Sequence, residues 1–449
     1  MKTRDLWIAI LVLAALSGVL YWSNHHKPKD DENSKASIDT SPKILSLNQP
    51  DITGLEIDRK DQPALALSRN SSGNWQITAP KPMPADEDSV SSILLTLSSL
   101  SSERLVDEKA SNLAEYGLTN PALQVGVTLK DKKTQKLLIG DQTPAGNAYY
   151  AMLAGDPRLF TLAGYNKTSV DKSANDLRDK RLLTADFDKV SQIELLNPSP
   201  DKKQDITFAR EKDAWQILKP KPYRADSGQV DDLVRALREA KFETSTSATD
   251  EQDSKLVAAF KSAKPLATAK IIGASGTQEL EIHKDKDSYL GKSSVVEGVY
   301  KVPATLATSL NKTLDDFRNK KLFDFGYQDP NKIELRDGAK SYFLTRSGTD
   351  WWGPDGKKLD ANSVEAVIGG LRDLSATKFP DSGFDNPEIQ ITVTSEDGKR
   401  LEKVSVAKAG GSYIAKRDDE PTLYEVPGAS ISELQKAAAD LKPAAAAKK

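Results

Sequence analysis

The sequence contains no cysteine among its 449 residues. That excludes disulfides, thiolate metal sites, a cysteine nucleophile and a lipid-modified cysteine anchor, and it leaves the compartment open. Histidine is nearly absent as well, at His25, His26 and His283. A catalytic triad would have to use His283, which no nucleophile motif supports, and the adjacent His25 and His26 read as part of a solvated linker rather than a metal site. The formal net charge is −2, so no global field favours nucleic acid. No Gly-x-Gly-x-x-Gly follows a strand pattern, and "SYLGKS" (Ser288–Ser293) lacks the first glycine of a phosphate loop. "DPNKIELRDG" and "DSGFDN" lack the ligand spacing of a calcium loop. These absences point to no catalytic residue, no metal and no cofactor, and the chain is expected not to be an enzyme.

What is there is a chain long enough for two to four domains. Residues Leu6–Trp22 form a run of seventeen without a charge, roughly 26 Å as a helix, with Trp7, Tyr21 and Trp22 near its ends. The expectation is an uncleaved transmembrane anchor over 1–23, with the N-terminus inside and the body exported. Residues 24–42 are polar and helix-poor and read as a flexible linker.

The body repeats itself. "WQITAPKPMPADEDSVSSILLTL" from Trp75 and "WQILKPKPYRADSGQVDDLVRAL" from Trp215 match without a gap at ten of twenty-three positions. A shortened third copy starts at Trp351. In each, a strand with a buried Trp leads through a proline-rich connector to a helix capped by Asp86, Asp226 or Asp360. Alternating strand patterns follow, and a helix closes each unit at about 167–183, 303–322 and 428–441. The predicted fold class is α+β: the N-terminal helix, then three tandem α+β repeat units over 43–184, 185–323 and 324–443, mainly antiparallel with two helices each. A disordered tail over 444–449 ends the chain.

Two charged stretches, "DLRDKRLL" (Asp176–Leu183) and "DFRNKKLF" (Asp316–Phe323), recur 140 residues apart. They read as joints, with their cations in the last turn of a closing helix. Aromatic residues recur too. Tyr149, Tyr150, Tyr289 and Tyr413 fall in one strand of the three copies, and Phe160, Tyr300 and Tyr424 in the next. The four tyrosines form a candidate binding surface, although recurrent aromatics more often serve packing.

The stretches "WQITAPKPMPADEDSV", "YGLTNPALQVGVTL" and "LLIGDQTPAGNAYYAM" resemble the DUF4340 family of bacterial proteins. The middle unit lacks the Gly-Leu and the third is contracted. The resemblance implies an extracytoplasmic accessory subunit of an ABC transport system, with a transporter permease or an auxiliary membrane protein as partner, and it implies no catalytic residue. Together these readings predict a single-pass inner-membrane protein acting as an accessory or scaffold subunit of an envelope complex. The alternative is a substrate- or glycan-binding protein using a cleft between units.

Overall fold

A computed structural model describes residues 42–198, 203–212, 214–243 and 250–445. The first sheet holds β1 (Ile52–Arg59), β2 (Leu65–Arg69), β3 (Trp75–Ala79), β4 (Met83–Pro84), β5 (Arg104–Asp107), β6 (Leu123–Leu129), β7 (Thr134–Gln142), β8 (Ala148–Leu153) and β9 (Leu159–Ala163). Their order is β4-β3-β2-β1-β6-β7-β8-β9-β5, antiparallel throughout. The first strand thus lies in the middle. The chain winds outward to β4, crosses through helix α1 (Glu87–Ser98), and winds outward again on the other side of β1. Two short helices, α2 (Gly164–Val170) and α3 (Ala174–Leu177), end the pattern.

The second sheet repeats that path. Its strands are β10 (Val190–Asn197), β11 (Gln204–Glu211), β12 (Ala214–Lys219), β13 (Tyr223–Arg224), β14 (Lys264–Gly273), β15 (Gly276–Asp285), β16 (Ser288–Ser293) and β17 (Val299–Val302), ordered β13-β12-β11-β10-β14-β15-β16-β17. Helices α4 (Ser227–Arg238), α5 (Asp250–Ser262), α6 (Ala304–Leu310) and α7 (Leu314–Phe317) accompany it. The third sheet holds β18 (Lys332–Asp337), β19 (Lys340–Ser347), β20 (Asp350–Trp352), β21 (Ile389–Ser395), β22 (Arg400–Ala409), β23 (Ser412–Arg417) and β24 (Leu423–Pro427), ordered β20-β19-β18-β21-β22-β23-β24, with α8 (Ala361–Asp373) and α9 (Gly428–Ala439). Each sheet has its own apolar core, closed at one end by buried Trp75, Trp215 or Trp351. By packing, the chain divides into two compact units, one ending at Asp179 and one starting at Lys180; the second contains both later sheets.

Local chemistry explains the helix starts. Asp86, Asp226 and Asp360 each accept a hydrogen bond from the backbone N–H three residues on, at 2.9, 3.1 and 3.0 Å, which satisfies an otherwise unpaired helix-end donor. The proline-rich stretches differ from expectation. Instead of pure connectors they contain the two-residue edge strands β4 and β13, and a strand (β2, β11 or β19) precedes the Trp strand in every sheet. Pro84 suits such an edge because it needs no ladder partner for its nitrogen.

The closing helices also need correction. A single helix over 167–183 or 303–322 is not formed. Capping boxes at Ser173 with Asp176 and Thr313 with Asp316 start a second, four-residue helix, and Arg178 and Arg318 are already extended, with ψ of 143° and 138°. The cations therefore do not complement a helix end. The segment is divided instead. Leu177 and Phe317 pack in the core that precedes them, and their carbonyls accept from the N–H groups of Asp86 and Asp226. Leu182–Leu183 and Leu322–Phe323 pack in the next core. Ile44–Leu45 does the same for the first sheet, and the bridges Lys43 to Ser101, Arg181 to Lys241 and Lys321 to Ser375 place all three starts alike.

The expected anchor (1–23), the linker except Pro42, and the tail beyond 445 lie outside the described residues. Among the described residues no helix is long and apolar enough to cross a membrane. The longest, α5 and α8, have 13 residues each. At 1.5 Å per residue they reach about 20 Å, against a hydrocarbon core of about 30 Å. Over the described residues the fold class is corrected accordingly to α+β with three antiparallel sheets and no transmembrane helix. The single-pass inner-membrane location, the membrane as a partner and the membrane-anchored accessory role in an ABC system are withdrawn with it.

Candidate functional site: grooves between paired helices

The expected tyrosines occupy packing positions. Tyr149, Tyr289 and Tyr413 are half-buried against the cores of the first, second and third sheets. They share a register, facing Leu162, Val302 and Val426 on the next strand. Tyr150 points to the opposite face, where it meets the Tyr116 ring edge-on at 4.8 Å in a smaller cluster. The four rings are thus not gathered on one face. Phe160, Tyr300 and Tyr424 sit opposite Ala151, Gly291 and Ala415, a large residue facing a small one each time, which fits sheet packing.

Sequence reasoning overlooked two concave sites at matching places. In the first sheet a groove of about 460 Å³ opens between α1 and the α2–α3 pair, lined by Asp88, Ser89, Ser92, Ser169, Lys172 and Asp176 among others. In the second, a groove of about 380 Å³ opens between α4 and α6, lined by Asp232, Arg235, Glu239, Ser309 and Lys312 among others. Ser92, Ser169 and Lys172 correspond to Asp232, Ser309 and Lys312, each 140 residues later. Each groove lies within one sheet's own helical layer. The signal was present in the sequence as the repeated Ser-x-x-Lys, but it is short and looks like ordinary helix surface.

The grooves are polar for a structural reason. Ser169 and Ser309 donate to the carbonyls of Tyr165 and Thr305 one turn back, at 2.9 and 3.0 Å, and each lysine follows directly on its helix. Lys312 donates to the Gln229 side-chain carbonyl at 2.8 Å. Neither Lys172 nor Lys312 makes a salt bridge to a carboxylate among the described residues, so each groove holds a cation without a carboxylate at contact distance. Two acids near the lysines are engaged with other groups. Asp171 accepts from Arg59 at 2.6 Å and Lys167 at 2.8 Å. Burial pushes its carboxyl up, but these two cations outweigh that and hold it below the usual carboxylate range. Asp316 is likewise held low: burial opposes, and hydrogen bonds from Thr313 prevail.

The other concentration of charge is internal to the second unit. Arg417, 3% exposed, binds Asp419 in a fork at 3.1 and 3.0 Å, contacts Glu402 at 3.2 Å and donates to the Leu322 carbonyl. Glu402 accepts from the Asp324 N–H at 2.9 Å. The second sheet builds the same joint with neutral groups: Ser293 donates to the Leu182 carbonyl and Gln278 accepts from the Thr184 N–H at 2.8 Å. Arg318 lies between the rings of Tyr223 and Phe379, 4.2 and 3.6 Å from their centroids. Arg318 thereby bridges the second and third sheets, while the Arg417 cluster ties the third sheet to its own entry segment.

No group of three or more metal-ligating side chains occurs among the described residues. His283 is tied to Glu281 and the Phe260 carbonyl, while His25 and His26 lie outside the described residues. No curated protein and no solved structure matches the chain. A family model, a domain of unknown function (DUF4340), matches twice, over residues 75–259 and 215–383. The two matches start at Trp75 and Trp215, the buried residues that close the first two cores, and together they span more than half of the chain, which therefore belongs to the DUF4340 family.

Proposed function

We propose that this protein acts by recognition rather than catalysis, and that the grooves of its first two sheets each take up a carboxylate-bearing side chain of a polypeptide partner. The observation that carries this reading is the matched pair of grooves, each with a serine and a lysine whose charge is not answered by a carboxylate in contact. A partially desolvated ammonium gains more from an incoming carboxylate than a fully hydrated one does, and the groove walls limit hydration. Two further features support it. Among the described residues, buried His283 is engaged through both ring nitrogens and buried Glu402 through Oε1. The sheet edges are covered as well: the segment after each helix pairs with the far edge strand, through Arg104–Asp107, Glu243 and Thr377–Lys378, so strand addition is disfavoured there.

The test is binding of glutamate-rich against lysine-rich peptides, read by fluorescence anisotropy. Glutamate-rich peptides should bind, more weakly as salt rises. The double variant Lys172→Glu/Lys312→Glu should lose about tenfold or more in affinity, the scale of one or two charge-assisted contacts. Equal binding of both peptide classes, or an unaffected double variant with an unchanged melting temperature, would overturn the reading.

A further inference from the structure

We propose that His283 is a proton-dependent latch that holds helix α5 on the outer face of the second sheet. This rests on a different part of the molecule from the grooves and does not depend on them. Helix α5 follows α4 in the chain and covers the face of β15–β17 opposite the main core, through Leu256, Ala259 and Phe260 on Leu290 and Val299. The first sheet has strand β5 and the 3-10 turn Leu113–Tyr116, and no α-helix, between its crossing helix and β6. A helix of 13 residues is marginal on its own in water, so α5 persists through its docking.

The docking is centred on one side chain. His283 on β15 is 7% exposed, and its ring stacks on Phe260 at 3.8 Å with the planes 13° apart. Its Nδ1 is 2.8 Å from the Phe260 carbonyl, in the last turn of α5, and its Nε2 is 2.7 Å from Glu281 Oε1. A carbonyl and a carboxylate both accept, so both ring nitrogens must donate, and the ring that fits carries two protons and a positive charge. That charge also complements the carbonyl end of α5. The other charged groups around it are few. Lys292 stands across from Glu281 on β16, and Lys301 stands beyond Leu290 on β17. Helix α5 itself contributes Lys261 in its last turn. These lysines oppose a positive ring, and Glu281, in contact with it, supports one. With one proton left, the Glu281 carboxylate holds it on Nε2, so Nδ1 turns a lone pair to the Phe260 carbonyl and the bond that ties strand to helix is gone. Helix α5 then opens locally and uncovers Leu290 and Val299.

The test uses the intact protein. Long-range ¹H–¹⁵N spectra resolve three histidines, so His283 is readily assigned. The ring nitrogens of His283 should both carry hydrogen while α5 is docked. As pH rises and the ring loses one of them, amide protection over residues 254–262, corrected for intrinsic exchange, should fall about tenfold or more over the same interval. In His283→Gln, whose amide hydrogens do not titrate in this range, protection of α5 should be independent of pH. Glu281→Gln, which removes the supporting charge, should move the release to lower pH. A docked ring with one hydrogen, or a fall in protection that persists unchanged in His283→Gln, would overturn the latch. Should His283→Gln fail to fold, coincidence or separation of the two wild-type transitions decides the matter.

Discussion

Trp75 and Trp215 fill the same place in their sheets, and an arginine lies over each ring, Arg69 at 4.7 Å and Arg210 at 5.9 Å. Only one indole is satisfied. Trp215 Nε1 donates to Asp231 at 3.0 Å, whereas Trp75 Nε1 is buried without a partner. The residue matching Asp231 is Ser91, too short to reach. Ser91→Asp should therefore stabilise the first unit by about 1 kcal/mol, the net worth of one such bond, measured as a higher urea midpoint at unchanged slope. Arg417 offers the opposite case. Removing it leaves the buried Glu402 carboxylate with only the partly exposed Arg400 at 3.3 Å and the Asp324 N–H, so Arg417→Ala should cost about 3 kcal/mol, and Glu402→Leu added to it should recover part of the loss. Acid should weaken both units. Asp171 and, against its own burial, Asp419 beside Arg417 are held below the usual range. A depressed folded value adds stability that is fully present above the unfolded carboxylate pKa of about 4 and is lost as pH falls through the lower, folded value. Urea midpoints should accordingly fall below about pH 4, and Asp171→Asn should flatten that fall in the first unit.

At the scale of elements, the three capping aspartates were legible in the sequence because an N-cap depends on the residue itself and the three that follow. Replacing Asp86, Asp226 or Asp360 by Ala should cost about 1 kcal/mol each, read by denaturation, without changing the fold. The closing helices were misread for a related reason. "TSVDKSANDL" has helical spacing on both sides of Ser173, and the run of Lys and Arg beyond it resembles a helix end. The Ser173 and Thr313 capping boxes restart the backbone, and the cationic segment then extends to reach the next core. Strand β2 was missed because "LALSR" is short and its alternation covers only five residues. The grooves were not legible at all as sites: Lys172 and Lys312 gain meaning only when a neighbouring helix stands beside them.

At the scale of the whole molecule, the sheets are alike but their attachment differs. Arg318 lies between Tyr223 and Phe379, Arg224 approaches Asp324 and Glu420 at 3.4 and 3.5 Å, and these contacts join the second and third sheets into one compact unit. A fragment of residues 42–179 and one of 180–445 should each unfold cooperatively. Cutting at 323 instead should strip Arg318 of Phe379, and residues 180–323 alone should melt several degrees lower, as expected for a loss of about 1–2 kcal/mol. Calorimetry on the three fragments checks all of this.

The sequence by itself determined the repetition. Period, Trp placement, helix caps and strand alternation are local properties, fixed within a few residues by spacing and by backbone chemistry. Composition likewise removed disulfides and thiolate chemistry outright. Only the tertiary structure decided where one unit stops and the next begins, because "DLRDKRLL" is shared: Leu177 lies in one core and Leu182–Leu183 in another. It also decided which charges are spent on holding sheets together, as at Arg318, and which stand in a groove, as at Lys172. Both depend on the distance to a partner far away in the chain, and spacing along a sequence does not encode that distance.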